Sequence, residues 1–211
     1  MKDIVIIGSG GFGREVAWLI DEINKVEDTW NLLGFIDDNH SVQGTEVNGV
    51  KVLGGTDWLM DKSINVVCAI GDPVIKKKVL SELESTNNTF PVLIDPLVRY
   101  SQTVEFGEGS IICAENTLTT NIKVGKHVII NLDCTIGHDA TIGDYSTILP
   151  SVNVSGETLI GECVSMGTSS SIIQGVSIGE NTVVGAGAVV VKDLPANCTA
   201  VGAPAKAIKF H

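Results

Sequence analysis

The sequence predicts an α/β domain followed by a parallel β-helix of about five coils. Three observations lead there. From Phe106 to Val190 every sixth residue is large and apolar, running Phe106, Ile112, Leu118, Val124, Ile130, Ile136 and on without a break through Ile178, Val184 and Val190. Two places before each of these, from Ser110 to Ala188, stands a smaller or β-branched residue. Residues 1–95 show no such period. They alternate apolar runs with stretches of helical spacing, and a glycine-rich turn follows the first run.

A period of six fits neither a helix at 3.6 residues nor a free strand at 2. It fits a strand that turns a corner every six residues, so that three corners close a triangular coil of eighteen. The large residue points into the prism and the small one fits beside it. Glycine follows the large residue at Gly107, Gly125, Gly143, Gly161 and Gly179, and again at Gly137, Gly167 and Gly185, where it is expected to ease the backbone around the corner. Strands of successive coils then stack about 4.8 Å apart.

In the first part, Asp3–Ile7 reads as a buried strand, residues 8–13 as a glycine turn, and Arg14–Asn24 as a helix carrying Val16, Leu19, Ile20 and Ile23. Leu32–Ile36 is a second strand that ends in Asp37 and Asp38. A short helix is expected over 57–61, a strand over 65–70 ending at Gly71, a helix from Pro73 to about Leu83, and a last strand over 90–94. Such alternation implies a parallel sheet with helices on both faces. The seam is placed at Asp95-Pro96, giving domains 1–95 and 96–211.

Gly8, Gly10 and Gly13 match G-x-G-x-x-G between a strand and a helix, and Asp37 follows some two dozen residues later. About 95 residues hold only one mononucleotide half, and no hydride-transfer constellation follows. A half-Rossmann unit that holds one nucleotide-linked ligand is expected, and NAD is not. Amides at the helix N-terminus face phosphate, and the carboxylate beyond the second strand accepts from base or ribose.

Composition agrees. The 211 residues are 44% hydrophobic but only 5% aromatic, as a narrow prism of Ile and Val requires. A net charge of −11 disfavours nucleic acid. Five scattered cysteines without C-x-x-C suit a reduced, cytoplasmic protein, and no stretch is long enough to insert in a membrane. Cys134 stands on an inward repeat position and is expected to pack.

Repeats such as Ile142-Gly-Asp-Tyr-Ser-Thr and Ile178-Gly-Glu-Asn-Thr-Val resemble the left-handed β-helix of hexapeptide acyltransferases. Combined with Ile-Ile-Gly-Ser-Gly-Gly-Phe-Gly, Phe-Ile-Asp-Asp and Ala-Ile-Gly ahead of them, they resemble the sialic-acid O-acetyltransferase and nucleotide-aminosugar N-acetyltransferase group over nearly the whole chain. The resemblance implies an acetyl-CoA-dependent N-acetyltransferase acting on a UDP- or GDP-linked amino sugar for bacterial surface glycan or glycoprotein synthesis. It also implies a homotrimer with the acyl donor in the groove between neighbours.

Acyl transfer from a thioester needs a base for the attacking amine, donors for the oxyanion and an acceptor held in line. His138 follows the corner Gly137, and Asp139 adjoins it; a carboxylate beside an imidazole raises its basicity and orients it. In the resembled group the matching His is the base and its acidic neighbour tunes it. By the same resemblance the Gly156 amide faces the oxyanion. Gly10, Gly11, Phe12, Asp37, Asp38 and Gly71 hold the nucleotide, and Asn131 meets the sugar. Phe12 departs from the polar residue of some members. Gly167, Thr168 and Ala186 flank acetyl-CoA, small residues at 185–187 admit the pantetheine arm, and Lys192, Lys206 and Lys209 are candidates for its phosphates. Thr147 replaces a second histidine that contacts the thioester carrier in some members. His127 is read as structural.

Rival readings are a sialic-acid O-acetyltransferase, a non-catalytic nucleotide-binding module, and a zinc enzyme of the γ-carbonic-anhydrase kind. The last needs three histidine ligands, and the repeats hold only His127 and His138, so no metal is expected.

Overall fold

The computed structural model describes residues 1–211. Its first part is a five-stranded sheet. β1 (Lys2–Ile7) lies between β2 (Trp30–Ile36) and β5 (Asn65–Cys68), and beyond β2 come β4 (Val50–Gly54) and then β3 (Glu46–Val47). All pairs are parallel except β3 with β4, a hairpin turned by Asn48 and Gly49. Both turn residues have positive φ, +50° and +78°, as the tight hairpin geometry demands. The sequence expectation lacked this hairpin.

β1 works by alternation. Ile4 and Ile6 pack with Val16, Leu19 and Ile20 of helix α1 (Gly11–Val26), and Val5 and Ile7 pack with Leu80 and Leu83 at the end of helix α2 (Pro73–Ser81). Asp72 caps α2, its Oδ1 accepting the Val74 and Ile75 N–H groups at 2.9 Å each, and Pro73 opens the first turn as expected.

The second part is a three-sided parallel coil of about six turns rather than five. It begins at Leu93–Ile94, which pairs with Ile111–Ile112, ahead of the unbroken apolar period. Each side is a stack of two-residue strands in register at eighteen, such as Thr117, Thr135 and Asn153. One sheet of eight strands meets the first domain and is called the facing sheet. The second sheet has six strands, from Arg99–Tyr100 to Val189–Val190, and the third has five. A hairpin of Cys198–Val201 with Lys206–Phe210 ends the facing sheet. The large repeat residues from Ile112 to Val190 and the small ones from Ser110 to Ala188 are all buried, Cys134 among them at 0% exposure. A fully buried Ile contributes about 1.5–3 kcal/mol, and the prism repeats that contribution in every layer.

The corners differ from the sequence expectation. The left-handed residue is not the glycine after the large residue but the residue two places further on. Positive φ recurs at every sixth position from Gly109 to Gly187, through Asn121, His127, Asp139 and Ser151. The corner glycines answer to a steric demand instead. A Cβ on Gly107, Gly137, Gly143 or Gly167 would lie 2.5–2.6 Å from backbone atoms of the next coil.

The first domain sits on the lower coils of the facing sheet. Ile111, Cys113 and Ile129 join the cluster built on Ile4 and α1, while Tyr145 packs with the α2 cluster. His127 is buried between Phe90 and Tyr145, stacked on the latter at 5.6 Å, and burial pushes its pKa down to about 4. Its role is structural.

Candidate active site

Three edges separate the three sheets. The edge between the second and third sheets carries His138 and Asp139, the edge between the facing and second sheets carries Asn131, Gly167, Thr168 and Ala186, and the third edge carries His127.

On extended backbone, neighbouring side chains point to opposite faces. His138 and Asp139 meet because the chain turns between them, with φ of +59° at Asp139. His138 Nδ1 lies 2.8 Å from Asp139 Oδ2, and both side chains are about half exposed. Asp139 Oδ1 accepts from Asn121 Nδ2 at 3.1 Å. The hydrogen bond from His138, then that from Asn121, holds the Asp139 carboxyl below its ordinary range. An ionised carboxylate only accepts, so Nδ1 carries a proton, and in the neutral ring the lone pair is then on Nε2.

That nitrogen lies over Gly156, one coil above. A Cβ at Gly156 would meet Nε2 at 2.6 Å and Cε1 at 2.7 Å. The other residues of this column, at intervals of eighteen, are Thr120, Gln174 and Lys192, and at every sixth position from Glu108 to Lys192 glycine occurs only at 156, where the imidazole needs the space. The Gly156 N–H donates to no acceptor in the chain. A base and a free backbone donor thus share one edge, as acyl transfer requires.

The same column continues upwards at intervals of eighteen through Gln174 to Lys192, which is exposed and without a carboxylate partner. Three coil steps place Lys192 about 14 Å above His138. On the other edge Thr168 and Ala186 stand one coil apart and exposed, and a Cβ on Gly167 would strike the Ala186 nitrogen at 2.5 Å. Asn131 is 8% exposed, its Oδ1 accepting the Leu132 N–H at 2.8 Å. Within one chain the second sheet separates these residues from His138, so a single copy does not bring the two halves together.

Thr147 is corrected by the structure. It is 2% exposed, and its Oγ1 accepts from Lys76 Nζ at 3.0 Å. Helix α2 covers it, so a cofactor has no access. Lys76 was not foreseen. It is fully buried, and loss of hydration pulls its pKa down to about 7. It stands in a Lys76-Lys77-Lys78 run that reads as a solvated face, and only its alignment with Pro73 and Leu80 on the inward side of α2 marks it.

In the first domain the expected ligand residues gather at the carboxyl ends of β1, β2 and β5. Gly10 caps α1 without a side-chain cap, and Gly10 and Gly11 are exposed. Gly13 must be glycine, since a Cβ there would lie 1.9 Å from the Gly8 carbonyl oxygen. Phe12 is half-buried against the core. Asp37 Oδ2 accepts from the Ser9 N–H at 3.0 Å and its hydroxyl at 2.6 Å, while Oδ1 accepts from the Asn39 N–H at 3.0 Å. Burial acts to raise the Asp37 pKa, but these bonds prevail and lower it. Asp38 Oδ1 accepts from the Thr56 N–H at 2.7 Å. Both aspartates therefore shape the loops at this edge. Gly71 borders a concavity of about 720 Å³ between the start of α2 and the upper facing sheet, a space that includes neither His138 nor Gly156.

The family model described as the PglD N-terminal domain matches residues 3–83. A GDP-perosamine N-acetyltransferase of Escherichia coli O157:H7 is 33% identical over 205 residues, 94% of this chain and 82% of that protein. The acetyltransferase domain of PglB from Neisseria gonorrhoeae, solved with acetyl coenzyme A, superposes with a TM-score of 0.87 at 29% identity, covering 98% of this chain and 99% of that one. PerB from Caulobacter crescentus, solved with CoA and GDP-perosamine, gives a TM-score of 0.87 at 27% identity, covering 99% and 98%. The perosamine N-acetyltransferase of that organism has also been solved with one histidine changed to asparagine or alanine. The chain belongs to the nucleotide-aminosugar N-acetyltransferase group of the left-handed β-helix, hexapeptide-repeat acyltransferases.

Proposed function

We propose that this protein transfers the acetyl group of acetyl-CoA to the amine of a nucleotide-linked amino sugar by direct attack in a ternary complex. One observation carries the mechanism: the His138 ring, tied through Nδ1 to Asp139, lays Nε2 against Gly156, whose backbone N–H is unengaged. His138 Nε2 takes the amine proton, Asp139 stabilises the resulting imidazolium, and the Gly156 N–H faces the carbonyl oxygen as it gains charge. The E. coli relative acts on a GDP-linked sugar by its name, and PerB holds one, so GDP is the first nucleotide to test and UDP the second.

Residues 1–95 form the nucleotide-sugar unit in this reading, and 96–211 the acyl-transfer unit. The free amides of Gly11 and Phe12 at the start of α1 take the diphosphate, with Gly10, Asp37, Asp38 and Gly71 around the nucleoside. The protein works as a cytoplasmic homotrimer. A neighbour packed along the second sheet brings its Asn131, Gly167, Thr168 and Ala186 opposite His138, and the acyl donor lies between. Thr168, Ala186 and Lys192 stand two to three coils above His138, which leaves room for a pantetheine arm and sets a cation at its anionic end. The residues fit the donor: small side chains line one wall, and an unpaired lysine ends the other.

The test is thiol release from acetyl-CoA across a panel of GDP-, UDP- and CMP-linked sugars with and without an amine. Acceptance of an amino sugar, with turnover falling about 10²–10⁴-fold in His138→Ala, supports the reading. Wild-type turnover in that variant, or acetylation of hydroxyl sugars alone, overturns it.

A further inference from the structure

Beneath His138 and Asp139 lies Asn121, a residue outside the catalytic and binding roles described so far. Asn121 occupies the same corner as Asp139, eighteen residues earlier and therefore one coil below. Its φ of +55° matches the +59° of Asp139. Asparagine adopts this left-handed conformation more readily than most residues, so the corner itself is unstrained. Its backbone N–H donates to Thr103 Oγ1 at 2.8 Å, which ties it to the coil below in turn. Its side chain reaches upwards, and Nδ2 donates to Asp139 Oδ1 at 3.1 Å while Oδ2 faces His138. The carboxylate only accepts, so the NH2 group of Asn121 must face it.

An exposed carboxylate on a corner can rotate about both side-chain torsions. A single bond to the imidazole leaves that rotation free, because ring and carboxylate can swing together. A second bond from a different coil fixes the plane of the carboxylate, and with it the direction of Nε2. We propose that Asn121 is a positioning residue for the acetyl transfer, its carboxamide holding the Asp139 carboxylate so that the His138 ring stays over Gly156. This rests on the transferase reading given above. Asn121 also lines a polar recess of about 330 Å³ with Gln102, Thr103, Glu105 and Lys123. The charged groups around the Asn121–Asp139 contact are thus His138 on the coil of Asp139, Glu105 and Lys123 at the recess below, and Glu157 in the same column one coil above.

The experiment follows the imidazole directly as well as the reaction. The ring of His138 is titrated by proton NMR in the intact protein, its signal assigned by loss in His138→Asn; only four histidines are present. Asn121→Asp places a second carboxylate beside the pair and is expected to raise the ring's titration midpoint, and the acid limb of kcat/KM with it, by about 0.5–1 pH unit. Asn121→Gly keeps the left-handed backbone but removes the amide; kcat falls about five-fold while KM for acetyl-CoA is unchanged. An unshifted ring midpoint in Asn121→Asp, or wild-type kcat in Asn121→Gly, overturns the assignment. Should the glycine variant fail to assemble, the ring titration of the aspartate variant decides alone. Because that titration needs no substrate, it reads the coupling of residue 121 to the Asp139–His138 pair even if the transferase reading fails.

Discussion

Replacing Gly156 with alanine separates the position of the imidazole from every other feature of the site. The backbone N–H that faces the oxyanion is retained. Gly156 is not among the residues with positive φ, so alanine is not strained there. The added Cβ, however, would lie 2.6 Å from His138 Nε2, 2.7 Å from Cε1 and 3.0 Å from Cδ2. Ordinary contact needs about 3.5 Å, so the ring must retreat by roughly 1 Å. It can do so, since the side chain is half exposed and its outer face is open. Stability therefore changes by no more than about 1 kcal/mol, with the reduced entropy of the unfolded chain offsetting part of the displacement. Turnover does not escape so lightly, because a misplacement of about 1 Å lowers a rate by about 10²-fold. Steady-state thiol release should show kcat down by about that factor, with KM for acetyl-CoA within about two-fold. In a His138→Ala background the new methyl meets no ring, so Gly156→Ala should add nothing further. A kcat within about two-fold of wild type, or a full additional loss in the double variant, would refute the argument that Nε2 over Gly156 is the working geometry.

Other consequences concern charge. Lys192→Ala should raise KM for acetyl-CoA about three- to ten-fold with kcat retained, and the effect should shrink as salt is added, because an exposed cation is screened; an unchanged KM at low salt removes Lys192 from the donor site. Lys76 gives a stability test. Its folded pKa, about 7, lies far below the ordinary 10.5, so between these values the unfolded chain binds the extra proton and stability rises with pH. Over pH 7 to 8.5, denaturant unfolding should show this rise in the wild type and a flatter profile in Lys76→Met. The window stops there because burial holds Cys68 and Cys134 up at about 11, and above the ordinary thiol value of 9.0 those groups act in the opposite sense. Parallel profiles in the two proteins would show that Lys76 is not buried as described.

Much of the coil is written in the sequence because one geometric rule repeats. Every inward position from Ile112 to Val190 is set by the period alone, and multiples of eighteen place His138, Gly156 and Lys192 on one edge. The period does not say which corner residue turns the chain. Glycine after the large residue invited that assignment, yet close approach of the next coil is what requires it, and the left-handed turns are made two places further on by Asn, Asp, Glu, Ser, Cys, Tyr and His, with glycine at 109, 175 and 187. His138 with Asp139 was legible because the partners are adjacent. Asn121 was not, since its bond to Asp139 spans a full coil and a lone asparagine carries no chemical signature. Lys76 was hidden by its lysine neighbours, and Thr147 was misplaced because repeat position shows which side chains point outwards but not which are then covered. The β3–β4 hairpin was available in Asn48-Gly49, a dipeptide that favours such turns.

The stacked column on the edge of His138 also works as a ruler with fixed graduations. Inserting eighteen residues between Gly156 and Gln174 would lift Lys192 by one storey, about 4.8 Å, and leave the imidazole where it is. Inserting six would instead carry the lysine round to a different side of the prism. The reach of the site can therefore lengthen or shorten only in whole storeys, and a donor arm of intermediate length has no setting of its own.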